Sequence, residues 1–498
     1  MDNSTTFSGI QPAPLWRHFG EITRIPRPSR HEAKIVEYIL SWAAARDYSV
    51  ARDATGNICV SVPASPGKEK APVIVLQSHL DMVCERNADS PYDAEKGLIH
   101  AVREGEWVIA DGTTLGADNG IGVATMLCVA ESEDVPHGPL ELLFTLDEES
   151  GLTGAKNLDP TIIRGRILIN LDSEDDGVLC VGCAGGTDTR FLLTAPRAPV
   201  PPGWKGLRVA VTGLQGGHSG VDIDKNRLNA IRAMTRILQD AAKKTPLVLG
   251  NICGGNKRNA IPRECSVALY CPASGEKDVR QSVQRTSEFL AEQYRGLDDG
   301  LKVSVHDQAS ALSEGAFPAE QTNKLLDLLR AIPTGVVAMS QDIRGLVETS
   351  SNLSVIGTSG EAVEIVCSSR SSVAGGMRDI LDTLHALARL AEAKIEEQEG
   401  YPGWKPDMSS HVLALTTQAY RRLFKSDPLV TAVHAGLECG LIGERIPGMD
   451  MLSFGPQITG AHAPGERVHI PSVAKFWSLL TAVLDDLSKF GSTTALFA

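Results

Sequence analysis

The stretch APVIVLQSHLDMVC (71–84) joins an apolar run to a polar SHLD turn. An apolar run of that length bounded by polar residues reads as a buried strand, which here ends at His79 and Asp81. A His two residues before an Asp at a strand end can give one ring nitrogen to a metal while the carboxylate takes the other ring N–H. The pair is short enough to arise by chance, so its meaning depends on its neighbours.

Two more apolar runs end the same way. LELLFTLDEESGLTGA predicts a strand over 140–145 that runs into Asp147, Glu148 and Glu149, and GRILINL predicts one over 166–171 that ends at Asp172, with Glu174, Asp175 and Asp176 just beyond. Three adjacent carboxylates repel one another unless solvent or cations compensate; an exposed acidic turn is the plainer alternative. Helical patterns over 31–45 and 120–133 alternate with these strands, the signature of a sheet covered by helices. In such folds ligands collect outside the carboxyl ends of the strands.

In DGTTLGADNGIGVATMLCVA, Gly116 and Gly120 flank Asp118 just before a helix. Asp118 can be an N-cap, although the two glycines suggest a backbone passing close to something. A second imidazole comes from SFGPQITGAHAPGERVHIPS, where His462 and His469 compete. His462 is favoured because small neighbours leave room for a metal. One His with several carboxylates suits two divalent ions of the zinc, manganese or cobalt type, bridged by Asp118.

The 498 residues exceed one compact core, so two domains are expected. The balance of 48 basic to 61 acidic residues gives a net charge of −13 without a basic cluster, which argues against a nucleic-acid partner. No signal peptide and no membrane-length apolar run is visible, and the ten cysteines are scattered. A cytoplasmic protein is expected. Cys180 and Cys183 have CxxC spacing, but without a second such pair the reading preferred is an ordinary strand and turn.

At Ala195 the composition turns to APRAPVPPG, which continues neither a helix nor a central strand. The expected organisation is a catalytic domain from 1–194 and 401–498, interrupted by an inserted α/β domain over 195–400. Within the insertion, strands are expected over 207–214, 265–271 and 363–367, and helices over 226–243 and 378–395. Helices over 413–424 and 473–487 follow it.

Taken together, HLDMV, LGADNGIG, LDEESGLTGA, NLDSED and GAHAPGE, in this order, resemble the M20 (clan MH) co-catalytic metallopeptidases, especially the branch of dipeptidases acting on Xaa-His substrates. The likeness extends over essentially the whole chain, including GGHSGVDI and KRNAIPRE. It implies a mixed-sheet, zinc-peptidase-like α/β catalytic domain with an inserted α/β lid, and two divalent ions, zinc or else cobalt or manganese. His79 and Asp172 would hold one ion, Glu149 and His462 the other, and Asp118 both. Asp81 would orient His79. Glu148 would be the general base acting on a metal-bridging water. His218, by itself more often a structural residue, would donate to the oxyanion. Asn259 and Arg370 would hold the substrate backbone and its C-terminal carboxylate; an arginine fork suits a carboxylate, although Arg370 could equally form a surface ion pair. Hydrolysis would then require closure of the lid.

The implied activity is hydrolysis of Xaa-His and other unblocked dipeptides, in a cytosolic homodimer with no membrane partner. The alternatives are a related tripeptidase, an N-acyl amino acid deacylase, or a non-catalytic peptide-binding protein that kept the fold.

Overall fold

A computed structural model describes residues 4–194, 196–308 and 315–491. The chain forms two compact units, the first from Met1–Gly182, Pro406–Ala432 and Leu437–Ala498, the second from Cys183–Lys405 and Val433–Gly436.

The first unit is built on an eight-stranded mixed sheet. Its strands in chain order are β1 (Ser49–Arg52), β2 (Ile58–Val62), β3 (Ile74–His79), β4 (Leu140–Thr145), β5 (Ile167–Asn170), β6 (Val178–Cys183), β7 (Leu429–Val433) and β8 (Asp450–Ser453). They lie side by side as β1-β2-β4-β3-β5-β8-β6-β7. β3 is parallel to both β4 and β5, and β8 returns from the C-terminal region to pair in parallel with β5. All residues of β3, β4 and β5 are buried, which is why they read as unbroken apolar runs and not as alternating ones.

Parallel pairing has a direct consequence for chemistry. His79 sits opposite Thr145 in register and Gln77 opposite Asn170. The chain therefore leaves β3, β4 and β5 at one edge of the sheet, carrying His79, the 147–149 turn and Asp172 with it. Between β3 and β4 runs the helix Ala117–Glu131, buried along almost its entire length. Asp118 and Asn119 have non-helical dihedrals, so regular helix begins at Gly120, where the sequence places it.

The second unit carries a nine-stranded sheet whose pairings are antiparallel, among them Trp204–Thr212 with Cys265–Pro272 and Val347–Ser359 with Ala362–Ser371. The helices Ala230–Ala242, Ala319–Ala331 and Ala374–Leu390 contribute Ile237, Leu329 and Leu384 to one core with Val209, Leu269 and Ile365 from the strands. The helix expected to reach residue 395 stops at Leu390. Glu392 takes a positive φ of 53° and the chain continues as the strand Lys394–Glu397.

The expected junction residue, Ala195, lies outside the described residues. The compact units divide earlier, between Gly182 and Cys183, because Gly185–Thr194 pairs along its whole length with Ala362–Ser371. The return falls after Lys405, since Tyr401 and Trp404 still bond to Gly186 and Cys183. No helix among the described residues is long and apolar enough to cross a membrane.

Candidate metal centre

At the C-terminal edge of β3, β4 and β5, carboxylates surround two imidazoles. His79 Nε2 lies 3.0 Å from Asp118 Oδ1 and 3.2 Å from Asp172 Oδ1. His462 Nε2 lies 3.2 Å from the other Asp118 oxygen and 2.9 Å from Glu149 Oε2. Asp118 thus offers one oxygen to each histidine. Two triads of donor atoms, His79–Asp118–Asp172 and Asp118–Glu149–His462, share it, the atoms of each within 4.8 Å of one another. His469, the competitor, faces Glu106 at 3.5 Å and packs on Trp107.

Asp81 organises this edge from behind. It is fully buried and sits 3.4 Å from His79 Nδ1. Its two oxygens accept the Glu148 N–H (3.0 Å), the Glu149 N–H (3.1 Å) and the Ser29 hydroxyl (2.7 Å). Burial acts to raise its pKa, but His79, Ser29 and the Glu148 N–H outweigh burial and hold it at about 2. Of the three adjacent acids, Asp147 points elsewhere: it accepts from the Ser150 hydroxyl and faces Arg30 at 3.5 Å. Glu148 and Glu149 each group with His79. Burial, with the Asp172, Glu149 and Glu438 charges, pushes Glu148 well above the ordinary carboxyl range, against the pull of His79.

These donors fit divalent cations. Each imidazole forms an ion pair with its carboxylates only while protonated, and the cluster favours that form: Asp118 and Glu149 raise His462 to about 11. At His79 burial favours the neutral ring, yet Asp172, Asp118 and Asp81 outweigh it. A cation among the same atoms would supply the positive charge that protons supply in its absence. Glu149 Oε1, moreover, is buried with no hydrogen-bond partner among the described residues, an oxygen left over for a cation. N and O donors of this kind accept zinc, manganese or cobalt.

Three supporting side chains stand outside the residues singled out from sequence. Arg27, 1% exposed, donates to the carbonyls of Leu80 (3.0 Å), Asp81 (2.7 Å) and Gly116 (2.5 Å). Glu438 is fully buried beneath the sheet edge, accepts from Gln77 (2.6 Å) and Thr145 (2.7 Å), and is raised to about 7 chiefly by burial. Glu466, 2% exposed, accepts four backbone N–H groups at the foot of the Asp118 helix. Burial pushes its pKa up and the Gly116 and Leu115 N–H groups oppose that. Only Glu466 could have been suspected, from its place four residues after His462.

In the second unit, His218 Nδ1 accepts the N–H groups of Gly220 and Val221, both at 3.2 Å. That leaves the ring proton on Nε2, and burial, followed by the Arg370 charge, favours the neutral ring. His218 and Asn259 line a cleft of about 750 Å³, and the Asn259 carbonyl accepts the Ser219 N–H at 2.8 Å. Arg370 is 7% exposed, so it is no surface ion pair. It donates to the Tyr401 hydroxyl at 3.0 Å, its Nε is buried without a partner, and no carboxylate pairs with it among the described residues. Cys180 and Cys183 are three apart on one extended strand, so their side chains leave opposite faces and do not converge on a metal.

Fold and donor set together define an α/β metallohydrolase with a centre for divalent ions. The chain belongs to peptidase family M20/M25/M40, whose model matches residues 75–486, a span that holds every residue of the two triads. It is 42% identical over 481 residues to the cytosol non-specific dipeptidase of Escherichia coli (strain K12), covering 96% of this chain and 99% of that protein. Among solved structures it resembles the aminoacylhistidine dipeptidase of Vibrio alginolyticus, with a TM-score of 0.90 and 39% identity over 98% of this chain and 99% of that one. A likeness of fold alone extends to an aminopeptidase of Bacillus cereus, TM-score 0.55 at 18% identity, over 96% and 100% of the two chains.

Proposed function

We propose that this protein is a dimetal dipeptidase that hydrolyses Xaa-His and other unblocked dipeptides, with zinc as the metal and cobalt or manganese able to replace it. The observation that carries the reading is the sharing of Asp118 between two imidazole triads with Glu148 alongside. Full-length similarity to proteins named as dipeptidases supports the substrate class. His79 and Asp172 would hold one ion, Glu149 and His462 the other, and Asp118 both. When bound, the ions polarise the scissile carbonyl and bring the attacking water's pKa toward neutrality.

The remaining steps belong to the chain's own side chains. Glu148 takes a proton from the attacking water and returns it to the leaving amine; the burial that raises its pKa lets it keep that proton between the two transfers. Asp81, by holding the Glu148 and Glu149 N–H groups, keeps base and ligand from exchanging places. A neutral His218 with its proton on Nε2 is a ready donor to the oxyanion. Asn259 holds the substrate backbone. Arg370, buried and without a carboxylate of its own, takes the substrate's C-terminal carboxylate and so limits the length of peptide accepted. The first unit is read as the catalytic domain and the second as the inserted substrate-binding domain. A cytoplasmic homodimer is the accompanying expectation; sedimentation of the purified protein measures its oligomeric state.

Kinetics after reconstitution with zinc, cobalt or manganese, on Xaa-His, other dipeptides, tripeptides and N-acetyl amino acids, test the reading. Dipeptides are expected to be turned over and blocked or longer substrates to be poor. Turnover of N-acetyl amino acids with none of Xaa-His would replace the dipeptidase by a deacylase.

A further inference from the structure

We infer that Glu466 is a positioning residue for the proposed metal centre: it fixes the shared carboxylate Asp118 against His462 by gripping the backbone that carries Asp118. The inference rests on the reading of Asp118 and His462 as ligands and adds what sets their separation. Glu466 Oε2 accepts the N–H groups of Leu115 (2.7 Å) and Gly116 (2.9 Å), and Oε1 those of Ala117 (2.7 Å) and Asp118 (3.3 Å). Four successive amides converge on one carboxylate, ending at the residue whose side chain faces both imidazoles.

Glu466 also closes the turn that presents His462. Its own N–H bonds to the Ala463 carbonyl at 3.1 Å, the Gly465 N–H reaches the Thr113 carbonyl at 3.2 Å, and His462 itself is held at a positive φ of 64°. The two loops are thus tied at Glu466, four residues from one candidate ligand and one bond from the backbone of the other. Arg27 completes the grip from the opposite side by donating to the Gly116 carbonyl. Satisfying four N–H groups could be a purely structural service. What separates the two roles is metal geometry.

The test is titration of the metal-free full-length protein with Co(II), followed by calorimetry and visible absorption, for the wild type and for Glu466→Gln, Glu466→Asp and Asp118→Asn. Glutamine keeps the size but presents an NH₂ group to two of the four N–H groups. A folded Glu466→Gln protein is expected to bind cobalt about 10–100-fold more weakly at one site, with an altered spectrum and a fall in kcat at little change in KM. Glu466→Asp keeps both acceptor oxygens and is expected to lose less, which gives a reading even if the glutamine variant does not fold. Wild-type affinity and spectrum in a folded Glu466 variant, with Asp118→Asn impaired, would overturn the inference alone. If Asp118→Asn also keeps two ions with unaltered spectra, the ligand reading falls, and the inference with it.

Discussion

Glu148 and Glu149 are adjacent, identical in type, and set to different tasks by one anchor. Asp81 takes both of their N–H groups, which fixes the turn so that Glu149 meets His462 while Glu148 stays beside His79. Glu148→Gln should therefore lower kcat by about 10²–10⁴-fold while two metals per chain remain, a combination that elemental analysis and kinetics read together. Loss of metal along with activity would make Glu148 a ligand instead of the base. Asp81 carries a pH signature in the metal-free protein. Its folded pKa of about 2 lies below the ordinary 3.8, so its stabilisation is present above pH 3.8 and lost as pH falls through 2. Urea unfolding of wild type and Asp81→Asn should differ by about 2 kcal/mol on this account near neutrality, narrowing between pH 4 and 2. At this scale the sequence was readable where a polar residue ends an apolar run or sits among glycines: His79, Glu149 and Asp172 at strand ends lie close to Asp118 at a helix start and His462 in a loop. Arg27 and Glu438 were not readable, because their partners are backbone groups and neutral side chains brought close only by folding, and Glu466 carried only the hint of its place four residues after His462.

The helix Ala117–Glu131 shows what element-scale patterning could and could not foresee. Its unbroken apolar content marks a helix packed on every side, and the burial is nearly complete. The alternative of Asp118 as an N-cap gives way: the N-cap position is Gly116, the Asp118 carboxylate faces His79 and His462, and the Glu466 carboxylate from a distant loop takes the N–H groups instead. The closeness that Gly116 and Gly120 implied has a partner, the Arg27 guanidinium. A Cβ at Gly116 would stand 2.5 Å from Arg27 Nη2 and 2.7 Å from the Met82 sulfur, on a backbone at φ 69°; at Gly120 it would meet the same guanidinium at 2.8 Å. Gly116→Ala should cost more than the ~1 kcal/mol of a simple positive-φ penalty, since a buried arginine must also shift. Chemical denaturation measures that cost, and a loss of only ~1 kcal/mol would mean that Arg27 gives way freely. The periodicity that found this helix is blind to such contacts, as it is to the turn at Glu392, where one positive φ ends the helix expected to run through residue 395.

At the scale of the whole chain, insertion was visible because composition changes sharply at the Pro-rich stretch. The exact divide was not, because Gly185–Thr194 belongs by pairing to the second unit though its sequence continues the first. The candidate centre draws on segments as far apart as His79 and His462, so cations there would link the central strands β3, β4 and β5 to the C-terminal loop that carries His462. Metal removal should accordingly destabilise that unit. A ligand bound only by the folded state adds RT ln(1 + [L]/Kd), about 2.7 kcal/mol at a hundredfold excess over Kd, so scanning calorimetry should show a transition that falls with chelator and recovers with zinc. The sign of the pH dependence follows from the donors. Without metal, Asp118 and Glu149 hold His462 protonated to about 11, and burial, with the neighbouring Asp118 and Glu149 charges, keeps Asp172 protonated to about 6. Metal binding at neutral pH must displace the imidazole protons, and below pH 6 the Asp172 proton as well, so affinity should rise with pH and rise most steeply under pH 6. Calorimetric titration in buffers of different ionisation enthalpy counts the protons released; an affinity flat from pH 5 to 8 with no proton release would place the metal somewhere other than these imidazoles.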